Sequence, residues 1–460
     1  MSFERNDYLW LKRAVCAVAL FALTAVPSTL RAEPAAPQSG EFVTKARNAV
    51  LMDYESGAVL YQKSADDLVP PASMSKLMTL ATLFKAMKDG KVKPDDQFLM
   101  SENAWRKGGA PSGTSAMFVP INTKARVDEL IQGIIVQSGN DACIAVAEGL
   151  AGTEAAFAKQ MEDEARRLGL KKSTFRNATG LDDSEHLMTA RELVLLAKHL
   201  ISDYPDQYHI FGQKEFAYLK HKFYNRNPLL GSELGVDGLK TGHTQIAGYG
   251  VVFSALSEGR RLIGVVMGLD DEKDRKEEGR RLLEWGIRSF AKLKLFNAGE
   301  EVGSARVWGG STWYVPLTGN GGDLEVVLPR FPANQKLKGE IIYQGPIKAP
   351  IKKGDQIATL RVSSSTTVNG TPTAVSEVPL HAGADVEPAS FLWKGFDSLL
   401  FLGFRAVQDR ASGSTSPDTA ATETTESETT PASSAQPGSS VAGKSATGAP
   451  VNSVVKTVPE

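Results

Sequence analysis

Pro70-Pro71-Ala72-Ser73-Met74-Ser75-Lys76 opens the helix around which the chain is organised. Two prolines block a helix before Ala72, because proline disfavours the α region in the residue preceding it. From Met74 to Met87, Leu77, Leu80, Ala81 and Phe84 recur at helical spacing, and Asp89-Gly90 ends the run. Ser73 is therefore expected at a helix N-terminus, where free N–H groups and the positive dipole end favour a developing negative charge. Lys76, three residues on, shares its face. A hydroxyl beside an amine is what an activated serine needs when no histidine serves as its base.

Ser-x-x-Lys by itself decides little, since it arises by chance roughly once or twice in a chain of this length. An ordinary helix cap followed by a surface lysine reads the same way. The composition narrows the choice. The 460 residues are 42% apolar, which supports a sizeable core. Lys plus Arg is 52 and Asp plus Glu 53, for a net charge of -1, which gives no sign of wholesale nucleic-acid binding. No internal repeat or phosphate-binding glycine loop stands out, and the six histidines form no metal-ligand pattern. No metal or cofactor is expected.

Lys12 and Arg13 precede an apolar stretch from Ala14 to Val26, broken by Pro27. Residues 1–32 read as an export signal with cleavage after Ala32, or as an uncleaved anchor. Leu30 at the position three before that cut is larger than the residue usually found there. Of the two cysteines, Cys16 lies in this segment. Cys143 then has no intrachain partner and is expected to pack as a small hydrophobe.

Residues 33–40 are a Pro-rich linker. Asn48 to Tyr61 reads as two strands about a turn at Glu55-Ser56-Gly57. A helical middle follows, from about Val127 to Leu170 and again over 189–203. Strands return at Tyr249–Ala255 and Arg261–Met267, and an amphipathic helix runs from about Glu277 to Phe290. This order predicts an α/β (α+β) domain over 41–293, with helices packed on one antiparallel sheet. Over 294–387 short strand-like runs separated by Gly, Pro and Asn predict a small all-β domain. Residues 388–410 alternate Phe391, Leu392, Phe396, Leu399 and Leu400 with Lys394, Asp397 and Arg405. They read as an amphipathic helix lying on a membrane surface, or as a helix capping the β domain. Residues 411–460 are rich in Ser, Thr, Ala and Pro and are expected to be disordered.

Two further motifs follow Ser73 in order. Ser138-Gly139-Asn140 comes after the apolar Ile134-Ile135-Val136, and Lys240-Thr241-Gly242 precedes a strand. Lys240 and Thr241 offer a charge and a hydroxyl for a carboxylate, and Gly242 allows close backbone approach. In this order the three motifs resemble the Ser-x-x-Lys, Ser-x-Asn and Lys-Thr-Gly set of penicillin-binding proteins and class A β-lactamases. Val69 to Thr79, Asn177-Ala178-Thr179-Gly180-Leu181, Asn225-Arg226-Asn227, Asp237 to Thr244 and Leu283-Glu284-Trp285-Gly286 narrow this. Over roughly 41–405 the chain resembles the D-alanyl-D-alanine carboxypeptidases, the low-molecular-mass penicillin-binding proteins of serine peptidase family S11. A tail beyond the terminal helix is not a usual feature of that family.

The resemblance implies a β-lactamase/transpeptidase-like catalytic fold. It implies that Ser73 Oγ attacks the bond between the last two D-alanines of a peptidoglycan stem peptide, that Lys76 acts as base, and that Ser138 relays a proton to the leaving amine. Asn140 would hold Lys76 or the substrate amide. Lys240, Thr241, Gly242 and Arg226 would bind the terminal carboxylate, with Arg275 a second candidate or else part of a surface salt bridge. The backbone N–H groups of Ser73 and His243 would form an oxyanion hole. For Lys76 to act as a base its pKa must fall, through burial and the nearby Lys240 charge. β-Lactams should acylate Ser73. The acids after Asn177 are Asp182, Asp183 and Glu185, without the Glu-x-x-x-Asn of a deacylating loop, which favours slow drug turnover over a β-lactamase. A non-catalytic wall-binding protein is the reading from another class. D,D-endopeptidase action and oligomeric state stay open. The implied location is the periplasmic face of the cytoplasmic membrane.

Overall fold

The computed structural model describes residues 42–330, 337–364, 367–368, 371–372, 375–390 and 451–457. The segment read as an export signal, the 33–40 linker, residues 391–410 of the segment read as an amphipathic helix and most of the tail lie outside them.

The catalytic region is built on a five-stranded antiparallel sheet. Its strands are β1 (Asn48–Asp53), β2 (Val59–Lys63), β5 (Val236–Thr244), β6 (Gly248–Ser257) and β7 (Arg260–Leu269), in the order β2-β1-β7-β6-β5. A separate hairpin, β3 (Glu215–Tyr218) and β4 (His221–Tyr224), precedes β5. Side chains of the sheet alternate between two cores, as the strand period of two requires. Val50, Met52, Val252, Ile263 and Val265 face a helical layer that includes α1 (Lys76–Lys88), α2 (Asn140–Ala151), α3 (Glu154–Arg167) and α4 (Ala190–Asp203). Leu51, Val251, Phe253 and Leu262 face α5 (Glu272–Ser289) through Leu282 and Leu283. Both faces are covered, so the strands are nearly continuous apolar runs.

Side-chain caps set several helix starts. Thr153 Oγ1 accepts from Ala156 N (3.1 Å), Thr189 Oγ1 from Glu192 N (3.0 Å) and Asp271 Oδ1 from Asp274 N (2.6 Å). The last cap starts α5 five residues before the expected Glu277. The added turn, Glu272 to Lys276, is largely polar and has no apolar period to announce it. The expected start of the nucleophile helix also shifts. Ala72–Ser75 is a 3-10 turn, and α-helix begins only at Lys76. Ala72 takes φ +48, and Met74 N donates to the Pro71 carbonyl at 3.2 Å, which closes this tighter turn. The long helical reading over 127–170 is broken at Ser138-Gly139, where a π-helical turn over Gly133–Gln137 ends with Ser138 at φ +63.

The C-terminal region is all-β. Strand β8 (Phe290–Phe296) continues directly from α5 across residue 293 and pairs with β11 (Leu324–Pro329). A seven-stranded sheet contains β9 (Gly303–Trp308), β10 (Tyr314–Thr318), β12 (Leu337–Gln344), β13 (Ile347–Lys348), β14 (Gln356–Ser364), β15 (Val375–Ala382) and β16 (Val451–Thr457), ordered β13-β9-β10-β15-β14-β12-β16. Its core holds Ala305, Val315, Leu317, Val326, Leu360 and Leu380. Strand β16 corrects the reading of the tail as wholly disordered. Val451-Asn452-Ser453-Val454-Val455-Lys456-Thr457 pairs antiparallel with β12 over seven residues. This β-branched heptapeptide completes a row of backbone groups at a sheet edge, which the average composition of the tail conceals.

Candidate active site

The first motif is assembled by the turn before α1. Lys76 Nζ donates to Ser73 Oγ at 2.8 Å and to the Thr179 carbonyl at 2.5 Å. Lys76 is wholly buried. Its pKa is lowered to about 8, by burial first; the Arg226 charge acts in the same direction, and Cys143 and Asp141 oppose. Lys240 is pushed well down by its own burial first and by Lys76 next, and the repulsion between these two buried lysines is mutual. Arg226 adds to it on both.

Thr179 belongs to a turn knitted by Asn177. Asn177 Oδ1 accepts from Thr179 N, Gly180 N and Thr179 Oγ1 at 3.0, 2.7 and 2.9 Å, and Thr79 Oγ1 on α1 donates to the Ala178 carbonyl at 2.7 Å. The sequence marked this segment only as a family signature. Its chemical part is a backbone carbonyl, which no residue type announces.

The second motif lies at the α2 start. Ser138 is 3% exposed, and among the described residues its Oγ has no hydrogen-bond partner. The Oδ1 of Asn140 is likewise buried and unpartnered. Asn140 Nδ2 donates to Thr114 Oγ1 (2.9 Å) and its N–H to the Ser115 carbonyl (2.7 Å), so the described structure does not place it on Lys76. Asp141 was missed in the sequence. Its buried carboxylate accepts from Met117 N (2.8 Å), Ala142 N (2.9 Å) and Val119 N (3.3 Å). Burial raises its pKa while these N–H groups oppose the rise. A signal was available in the acid that directly follows Ser-Gly-Asn at a helix start.

The third motif lies on β5, the edge strand of the sheet. A β-carbon on Gly242 would stand 2.9 Å from the Pro71 carbonyl oxygen and 3.1 Å from Met74 Cγ. Only glycine lets β5 lie this close to the Ser73 turn. Lys240 and Thr241 are both buried, and Lys240 Nζ reaches the Thr241 carbonyl at a long 3.3 Å. The exposed His243 ring stacks on Tyr249 with centroids 3.8 Å apart. Its backbone remains part of the motif strand.

Arg226 Nη1 donates to Ser115 Oγ at 2.6 Å. Arg275, expected as a carboxylate binder or a surface pair, is 4% exposed. It bonds Glu272, lies 5.5 Å from the Tyr249 ring centroid and keeps a buried, unpartnered Nε. Lys76, Lys240, Arg226 and Arg275 thus form an interacting cationic group whose proton affinities are all lowered, by burial first. Such a group favours an anionic ligand. Among the described residues no group of three or more His, Cys, Asp or Glu could hold a metal ion. Cys143 is buried and free.

The D-alanyl-D-alanine carboxypeptidase model of peptidase family S11 matches residues 33–271, and the penicillin-binding protein 5 C-terminal domain model matches 290–388. The D-alanyl-D-alanine carboxypeptidase DacC of Escherichia coli (strain K12) is 36% identical over 397 residues, covering 86% of this chain and 97% of that protein. Penicillin binding protein 5 from Haemophilus influenzae superposes with a TM-score of 0.66 at 34% identity, covering 76% of this chain and 100% of that one. Penicillin-binding protein D2 from Listeria monocytogenes, in its cefotaxime-bound form, gives 0.50 at 31% identity, covering 54% and 99%. Matched by that family model over more than half of its length, and by a relative 36% identical over nearly the whole of that protein, the chain belongs to the D-alanyl-D-alanine carboxypeptidase family of peptidases.

Proposed function

We propose that this chain is a serine-type D-alanyl-D-alanine carboxypeptidase that removes the terminal D-alanine from peptidoglycan pentapeptide stems and is acylated by β-lactams. The observation that carries this is the 2.8 Å contact between Ser73 Oγ and a buried Lys76 whose pKa is lowered to about 8. A free lysine is almost fully protonated at neutral pH, whereas at a pKa of about 8 roughly a tenth is neutral at pH 7. Neutral Lys76 accepts the Ser73 proton as Oγ attacks the penultimate carbonyl carbon. The Ser73 and His243 N–H groups hold the oxyanion. Ser138, with its free Oγ, passes a proton to the departing amine. Asn140 Oδ1, also free, accepts from the substrate amide. Lys240, Thr241 and Arg226 bind the terminal carboxylate beside Gly242, with Arg275 behind them. Water then hydrolyses the acyl-enzyme. No cofactor enters any step.

Slow turnover of β-lactams has its own support. The hydrogen-bond partners of Lys76 Nζ among the described residues are a hydroxyl and a carbonyl, not a carboxylate. Glu185 is exposed and pairs with Arg176 at 3.2 Å.

The chain is further proposed to be exported through residues 1–32 and held at the outer face of the cytoplasmic membrane by 388–410, with the β domain as a spacer. The support is the charge and apolar pattern of those segments. Among the described residues no helix is long and apolar enough to cross a membrane.

Mass spectrometry of a pentapeptide muropeptide incubated with the purified protein tests the activity. Loss of one alanine, abolished in Ser73→Ala, is expected. An unchanged substrate from folded protein, or rapid penicillin hydrolysis, would overturn the reading.

A further inference from the structure

A few residues along the chain from Arg226 and from its partner Ser115 lies an aromatic stack that hydrolysis of D-Ala-D-Ala does not use. Phe118 packs on His221 of β4 with ring centroids 5.0 Å apart and an interplanar angle of 29°. Behind them Phe223 stacks at 6.3 Å from Phe118 and 5.9 Å from His221, and Phe216 of β3 lies 6.2 Å from Phe223. The inner rings, Phe216 and Phe223, are buried, whereas Phe118 is 37% exposed. The result is a layer of nearly parallel rings with one outer face in solvent.

The stack is held in place from both sides. Phe118 has φ +62, a conformation a bulky residue rarely adopts. Its two neighbours are pinned by one buried group, because Asp141 accepts from Met117 N and from Val119 N. Backbone strain of this kind persists only where the surroundings over-determine it, and it concentrates at ligand sites. The stack is also tethered to Arg226 by short lengths of chain. Arg226 bonds Ser115, and Phe118 lies three residues beyond Ser115, at most about 11 Å along an extended chain.

We propose that Phe118 and His221 form a side-chain subsite for the leaving residue, and that it accepts D-amino acids with a large, flat, apolar side chain in place of the terminal D-alanine. This rests on the carboxypeptidase reading, in which Arg226 binds the carboxylate of that residue. Carboxylate and side chain branch from the same α-carbon. A ring surface tethered this closely to the guanidinium, with His221 five residues before Arg226 and Phe118 three after Ser115, is therefore placed to meet that side chain. An aromatic side chain reaches several ångströms farther from that α-carbon than the D-alanine methyl does. Offset stacking of aromatic rings is favourable beyond simple burial. The bond broken is the amide between D-alanine and the D-residue. Its acyl carbon passes to Ser73 Oγ, the amine leaves with a proton, and water regenerates the serine with release of the D-alanyl carboxylate.

The test compares kcat/KM of the full chain on two acetylated peptides that differ only in ending D-Ala-D-Ala or D-Ala-D-Phe. The wild type is expected to cleave the D-Phe peptide within tenfold of the D-Ala peptide. In Phe118→Ala and in His221→Ala the ratio of D-Phe to D-Ala rates should fall at least tenfold. Phe118→Leu keeps bulk without a flat face and should fall less, which also serves if Phe118→Ala does not fold. A ratio unchanged within twofold in both folded alanine variants overturns the subsite, as does a wild type that cleaves D-Ala-D-Ala but not D-Ala-D-Phe. Should the wild type cleave neither peptide, the carboxypeptidase reading itself falls and takes the subsite with it.

Discussion

Gly180 lies so close against Ala72 that the place of its missing β-carbon is already filled: built on the backbone, that atom would overlap the Ala72 carbonyl oxygen and Ser75 Oγ. Gly180 also has φ +74. Gly180→Ala is therefore penalised twice, by a left-handed backbone and by contact with the turn that carries Ser73. The backbone part alone costs about 1–3 kcal/mol. Because the same turn supplies the Thr179 carbonyl to Lys76, acylation should suffer as well as stability. A thermal melt lowered together with at least a tenfold slower acylation by a fluorescent penicillin is the expected result. Wild-type values for both would show that the turn does not position Lys76.

In the proposed mechanism Lys76 sets the pH dependence. The neutral amine is then the base, so acylation should rise with pH through about 8 and level off above it. The rate at pH 7 should be about a tenth of the plateau. A rate already flat between pH 6 and 9 would exclude Lys76 as the titrating base.

The same burial predicts an effect on stability. Between about pH 8 and the ordinary lysine value of 10.5 the unfolded chain binds a proton that the folded chain does not. Stability from this group therefore rises with pH across that window, and the penalty is fully present below it. Lys76→Met removes the buried ammonium at similar length. It should abolish acylation while raising stability by about 1–3 kcal/mol at pH 6–7, an advantage that shrinks as pH climbs towards 10.5. Urea unfolding at both pH values measures this, and a destabilised variant at pH 6 would mean that the Ser73 and Thr179 bonds outweigh the desolvation.

Much of the site was legible because covalent chemistry constrains residue type. Ser73, Lys76, Ser138, Asn140, Lys240 and Thr241 were singled out for their side-chain types and their order along the chain, and the structure brings Ser73 and Lys76 into contact at 2.8 Å. What the sequence left hidden acts through the backbone or through burial. The Thr179 carbonyl has no identity in sequence. Asp141 works by accepting from Met117 and Val119, some twenty residues away along the chain. For Arg275 the sequence left a carboxylate binder and a surface salt bridge both open, and its burial emerges only with α5 starting at Glu272. The strands were legible where apolar runs were long. The short β3–β4 hairpin was not read, because Lys220 and Lys222 interrupt its apolar positions. Strand β16 was missed because only its β-branched valines, not the composition around them, favour pairing.

Asp141→Ala leaves three buried N–H groups, those of Met117, Ala142 and Val119, without their acceptor. At about 1–3 kcal/mol for each unsatisfied group, the loss should be about 3 kcal/mol or more. Asp141→Asn keeps one acceptor oxygen and turns an amide donor towards one of these N–H groups, so it should recover only part of that loss. If Asp141 merely fills space, the two variants should be equally stable in urea unfolding.

Arg226 and Arg275 can be separated by the charge of the substrate. Arg275 is buried and Arg226 is exposed, and each lowers the proton affinity of Lys240. Arg226 has a hydroxyl partner in Ser115, whereas Arg275 is held by the Glu272 carboxylate and the Tyr249 ring. Arg226 thus has the less neutralised charge and is the stronger partner for a carboxylate. Arg226→Ala should raise KM for a peptide ending in free D-alanine at least tenfold. It should also erase most of the wild-type preference for that peptide over its C-terminal amide. Arg275→Ala should reduce the same preference by a smaller factor, because its charge is already paired. Steady-state kinetics on the acid and amide peptides read both effects, and an undiminished preference in Arg226→Ala would move the carboxylate to Lys240 and Thr241 alone.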